Sequence, residues 1–227
     1  MRENFAQETS APKATKATKA TNDTQDTYFY DPRAGHGLPH DPFKAILAPR
    51  VIGWISSCNR KGQANLAPYS FFGGFSDNPK VIAFSSDGYK DSIRNIEETG
   101  EFTWNLTSLA LAEAMNRSAA SVAPQVNEFE LAGLTQVPGS HVKVPRVGES
   151  PASFECKLLQ ILRLNDLVGE PINNWIAIGQ VVGVHIRHEF LEDGYFNIKA
   201  AQPILRAGYK GDYAQLGSMF EMNRPDG

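Results

Sequence analysis

Residues 85–96 read SSDGYKDSIRNI, and they gather Ser85, Ser86, Lys90, Asp91 and Ser92 around a glycine turn between a strand and a helix. A helix start presents unsatisfied amides and the positive end of its dipole, which suits a phosphate. The three serines add hydroxyl donors and Lys90 adds a mobile charge. The competing account is ordinary capping, with Asp91 at the helix start and the serines closing a strand. A second stretch, NLAPYSFF at 65–72, carries polar groups where a strand is expected. Along an extended chain Asn65, Ala67, Tyr69 and Phe71 share one face, and Leu66, Pro68, Ser70 and Phe72 the other. Pro68 cannot donate to a ladder, so this strand is an edge or is opened there, exposing neighbouring amides and carbonyls to a planar, hydrogen-bonding ligand. The alternative is an edge strand that its proline guards against aggregation.

Other chemistries find little support. His185 and His188 are oddly spaced on a strand and point to opposite faces, and His36 and His40 sit in a Gly/Pro-rich segment. No His, Cys and carboxylate pattern has metal spacing, and no nucleophile elbow, Walker loop or Cys–His signature occurs. No G-x-G-x-x-G follows a strand. Net charge is −3 with both signs interspersed, which gives no footprint for nucleic acid or an anionic membrane. The most apolar run, WIAIGQVVGVHI, is too short to span a bilayer. Cys58 and Cys156 lie far apart within apolar runs, which predicts two buried free thiols and a cytoplasmic, reducing setting.

These groups need a scaffold. Residues 1–27, rich in Thr, Ala and Lys and poor in large apolar residues, are expected to form a disordered tail, leaving one domain over 28–227. The segment DPRAGHGLPHDP is predicted to wrap the surface. Strands are expected at 51–58, 64–72, 80–86, 101–106, 152–164 and 174–188, with NRKG as a hairpin connection. Gly179 and Gly183, on one face of the last strand, signal a bend or a close backbone approach. Helices are expected at about 91–99 and over SLALAEAMNRSAA with Ser108 as N-cap. Residues 119–150 read as an irregular excursion rather than core. The sum is an antiparallel barrel with inserted helices and no βαβ alternation.

Eight segments in order and register, among them GLPHDPFKAILAPRVIGWISS, NLAPYSFF, FSS with KDSIRNIEETGEF, NEFELAGLT, RVGESPASFECKL and GYKGDYAQLGSMFEM, resemble the flavin-reductase-like proteins with an FMN-binding split barrel. The resemblance covers about His36 to Pro225. It implies a mainly β, six-stranded antiparallel Greek-key split barrel, a homodimer, and FMN in a groove near the subunit interface. It also implies isoalloxazine contacts from Ser56 and the backbone of Asn65, Ala67, Pro68, Tyr69 and Ser70. The ribityl-phosphate end falls to Ser85, Ser86, Lys90, Asp91 and Ser92, in agreement with the helix-start argument. Arg206, Tyr209 and Tyr213 match a family motif near the flavin. Val51, Ser57 and Gly73-Gly74 depart from the common Pro, Thr and Asn-Ala, the last bearing on redox tuning more than on binding. The implied activity is hydride transfer from NADH or NADPH to flavin N5, with no side chain required as acid or base. Alternatives are a non-catalytic electron-transfer flavoprotein and a barrel that has lost its cofactor.

Overall fold

The computed structural model describes residues 27–123 and 125–225. The expected tail, Thr27 apart, lies outside these residues. Residues 27–43 belong to a small unit of their own, where Arg33 grips both carboxylate oxygens of Asp31 and the Tyr28 hydroxyl donates to the His36 carbonyl (2.9 Å). Residues 28–42 contain no helix or strand, in keeping with the turn-rich reading of that segment.

The second unit is built on one antiparallel sheet. In chain order its strands are β1 (Gly53–Cys58), β2 (Ala64–Tyr69), β3 (Phe71–Asp77), β4 (Lys80–Asp87), β5 (Glu101–Asn105), β6 (Ala152–Asn165) and β7 (Pro171–Ile186). Their spatial order is β2-β1-β5-β6-β7-β4-β3. Seven strands replace the expected six because residues 64–72 are not one strand. Ser70 divides them, and its two halves become the opposite edges of the sheet. Two strands one residue apart can occupy opposite edges only if the sheet curls on itself. The edges do approach there: a Cβ on Gly53 of β1 would lie 2.9 Å from Cβ of Phe72 in β3. No ladder joins β2 to β3, so the curl is left open along that seam.

Pro68 marks β2 as an edge. It stands opposite Trp54 at a position whose groups point away from β1, and it has no amide to offer a further strand. Inside the curl, Phe84, Phe102, Ile55, Ile93, Ile96 and Ala177 are buried, and Phe72 stacks on Trp104 at 5.2 Å. Gly179 is required by a close approach, since a Cβ there would lie 2.4 Å from Cε1 of Phe102.

Helix α1 (Asp91–Thr99) follows β4 and closes on Gly100 in the left-handed conformation. The second expected helix is a 3-10 turn at Leu109–Leu111 continued by α2 (Ala112–Arg117); Ser108 precedes the turn but makes no side-chain cap. The 119–150 excursion departs from expectation. It contains α3 (Glu128–Ala132), started by Asn127 accepting the Phe129 amide at 3.0 Å. Its apolar residues are core: Phe129 and Val147 pack with Trp54, Leu66 and Met115, and Val142 and Val144 pack with Cys58. The many prolines and glycines signalled loops correctly but hid the spaced apolar anchors between them. Among the described residues no helix is long and apolar enough to cross a membrane.

Candidate functional site

Strand β2 is an edge, and its outer side is nearly used up before any ligand arrives. In an antiparallel ladder alternate residues point their amides outward. Leu66 is one of these, and its N–H donates to Oε2 of Glu128 at 3.2 Å. Pro68, two residues on, has none. The edge therefore offers carbonyls more than amides, and what it can receive from a planar ring is an N–H donor.

The start of α1 faces the same space. Lys90 occupies the N-cap in an extended conformation without a side-chain cap, so the first-turn amides of this nine-residue helix are free of side-chain partners. Asp91 is not the cap; it is ion-paired with Arg94 one turn on, which offsets its charge at the helix start. Ser92, almost fully buried, accepts from the Asn65 amide nitrogen at 2.9 Å and so ties α1 to β2. Burial raises the Tyr69 phenol pKa, and the Ser92 and Ser86 hydroxyls beside it oppose the rise. Ser86 in turn donates to the Gly88 carbonyl at 2.8 Å, closing the turn.

Between the two elements lies a cavity of about 370 Å³ lined by Asn65, Ala67, Pro68, Tyr69, Lys90, Asp91 and Ser92. This volume falls within the roughly 300–1,000 Å³ typical of small-molecule sites. All seven of those residues are sequence candidates. Ser56, Ser70, Ser85 and Ser86 are not on its wall. Ser56 is fully buried, donating to the Pro145 carbonyl at 2.6 Å beside the Asn105 amide. Ser85 pairs with Phe71 and Ile176 on the sheet, and Ser86 acts through Tyr69. Arg206, Tyr209 and Tyr213 line no part of this cavity; Arg206 stacks on Tyr213 at 4.5 Å in the C-terminal strands.

The opposite wall comes mostly from the 119–150 excursion, expected at the pocket rim but with no contact assigned from sequence. It consists of Ser118, Ala119, Ala120, Ser121, Val122 and Glu128. Ser118 is held by the Trp54 indole N–H at 2.9 Å. The run of small residues leaves room, and small residues in a loop carry no signal of what they face. Glu128 is 8% exposed, and burial raises its carboxyl pKa, the Leu66 amide pulling it back and Asp91 adding to the rise.

These donors fit a flavin mononucleotide in kind. A cation and helix-start amides stand at one end, and an acceptor-rich strand edge with Ala67 and Pro68 stands at the other. A curled antiparallel sheet with such a cavity along its β2 edge defines a class of flavin-linked split barrels. The chain belongs to the flavin reductase-like family, whose domain model matches residues 47–203. A relative in Halalkalibacterium halodurans, itself uncharacterised, is 34% identical over 80% of this chain and 88% of its own. Nitrilotriacetate monooxygenase component B of Bacillus cereus superposes with a TM-score of 0.74 at 32% identity, over 79% of this chain and 90% of that one. A candidate flavin reductase of Shewanella frigidimarina, with a split barrel domain, shares the fold at a TM-score of 0.72 and 21% identity, over 81% and 90% of the two chains.

Proposed function

We propose that this protein binds FMN in the Asn65–Ser92 cavity and is an oxidoreductase that takes hydride from NADH or NADPH onto it, working as a homodimer. One observation carries the reading: a single cavity joins the edge of β2 to the start of α1. When bound, FMN would supply the redox chemistry by accepting hydride at N5.

The protein's part is to bind and orient. Lys90 and the amides at the start of α1 hold the phosphate. Ser92 is positioned for it by Asn65 and Tyr69. The β2 edge between Asn65 and Ser70 receives the ring, whose flat face rests on Ala67 and Pro68. The wall from Ser118 to Val122 leaves open space for a second planar reactant. Exposed Leu159, Leu162 and Val184 on β6 and β7 support a second copy covering that part of the sheet. Two free, buried thiols, with Cys58 pushed up to about 11 by burial and the nearby Glu101, support a reducing, cytoplasmic setting.

Purified protein reconstituted with FMN should be yellow, and anaerobic NADH or NADPH should bleach it. A preparation that takes up no FMN ends the proposal; one that stays yellow under both nicotinamides limits it to electron carriage. Lys90→Ala should weaken FMN about tenfold while leaving riboflavin, which has no phosphate, nearly unchanged, as expected for loss of one charge-assisted contact. Equal losses for the two would make Lys90 a structural residue.

A further inference from the structure

Glu128 is the carboxyl of the cavity that phosphate and ring binding leave without a task. Its remaining 8% exposure sits on a wall of the cavity. Its hydrogen-bond donors are neutral: the Leu66 amide and its own backbone amide. The charged and titratable groups on the elements packed around it are Tyr69 of β2, Lys90, Asp91 and Arg94 at the start of α1, Glu113 and Arg117 of α2, and Glu130 of α3 itself. Each cation but one is committed elsewhere. Arg94 pairs with Asp91, and Arg117 holds the Ala132 carbonyl at 2.8 Å and faces Glu113 at 3.9 Å. Lys90 is left, and it is the group that an incoming phosphate would engage. Among the described residues Glu128 makes no ion pair of its own.

A dianion entering beside a buried carboxylate with no counter-ion raises the cost of that charge, and the carboxyl relieves it by taking up a proton. We propose that a phosphate-bearing flavin enters this cavity together with one proton from solvent, bound by Glu128, so that affinity for FMN falls as pH rises through the titration of that residue. The inference rests on the flavin reading. The protonated carboxyl keeps the Leu66 contact through its carbonyl oxygen, so the strand edge is undisturbed. Burial and Asp91 already push the Glu128 carboxyl upward before any ligand binds, which brings its titration toward neutral pH.

The test titrates FMN and, in parallel, riboflavin into wild type and Glu128→Gln, following quenching of flavin fluorescence from about pH 5 to about pH 9. Ionisation of the FMN phosphate is common to both proteins and cancels in the ratio of their dissociation constants. Across that range the wild-type to Glu128→Gln ratio should rise about tenfold for FMN, as linkage to one proton allows, and less than about threefold for riboflavin. Equal slopes for the two flavins overturn the assignment to the phosphate. Tight FMN binding with a flat ratio overturns the role of Glu128 and leaves the flavin reading standing. Wild type that binds no FMN at any pH overturns both. Should Glu128→Gln not fold, calorimetry of wild type at steps between about pH 6.5 and about pH 8, above the phosphate's second ionisation near 6, in two buffers of different ionisation heat counts the protons directly. Net uptake growing toward the lower end supports the proposal, and zero or net release at every step overturns it.

Discussion

Among the described residues two carboxylates are buried, and the surroundings of Glu155 and Glu128 could hardly differ more. Glu155, near the start of β6, is fully buried, yet it accepts three consecutive amides, Ser140 at 2.7 Å, His141 at 2.6 Å and Val142 at 2.8 Å, and meets the His185 ring as well. Burial by itself would raise its pKa; His185 and those amides outweigh burial and hold it down to about 2. Gly139 and Gly183 leave space for the arrangement, since a Cβ on Gly139 would stand 2.8 Å from Oε2 of Glu155. Glu128 has one amide from another strand, no counter-ion and a cavity in front of it. A saturated carboxylate fastens the 138–145 segment to the sheet. An under-satisfied one beside a cavity is free to respond to what enters.

That contrast can be broken by substitution. Glu155→Gln should cost about 3 kcal/mol in urea unfolding at neutral pH, the scale set by a carboxyl held near 2 instead of 4.5. Because the folded-state pKa is depressed, this stabilisation is complete above the unfolded value near 4.5 and is lost as pH falls toward about 2. Wild-type stability should drop across that window, and the Gln variant should show a shallower slope. Gly139→Ala should cost about 2 kcal/mol, by forcing a methyl group against Glu155 and the Val142 carbonyl. A thermal melt unchanged by it would show that the 138–145 segment yields easily and that Glu155 is no fastening. On the cavity side, Asn65→Ala removes the tie to Ser92 and should cost about 1 kcal/mol while weakening FMN, measured by unfolding and by flavin titration.

Glu128→Gln should have the smallest effect on stability, within about 1 kcal/mol at neutral pH. Its sign is opposite to that of Glu155. A carboxyl whose folded pKa is raised contributes stability that is present below the unfolded value and lost as pH rises, so the Gln variant should gain on wild type toward alkaline pH. Parallel pH–stability curves for the two proteins would show that Glu128 titrates alike folded and unfolded; a Gln variant that loses ground toward alkaline pH would place it with Glu155 and erase the distinction.

How much of this was legible beforehand depended on whether a signal was local. Lys90 through Ser92 were readable because a strand end, a glycine turn and a helix start lie within twelve residues of sequence, 85–96. Pro68 announced an edge because a missing amide is a property of one residue. The seventh strand was not readable. Residues 64–72 keep their alternation through Ser70, and only the curl of the sheet sends the two halves to opposite edges. Ser56 illustrates the converse. The family resemblance implied a flavin contact there, whereas its hydroxyl is turned inward to Pro145, a partner 89 positions away. Distance in sequence also hid Glu128, which lay in a stretch read as an irregular excursion until Leu66, 62 positions earlier, was set against it.

Composition, alternation and turn chemistry by themselves determined an antiparallel β protein with a phosphate-suited turn and a proline-marked edge, because each is set by residues within a few positions of one another. Which polar groups face the cavity, and which are consumed holding the sheet together, was decided only when the chain closed. A serine or a carboxyl has the same chemistry in either place; the partners that satisfy it or leave it open come from distant strands.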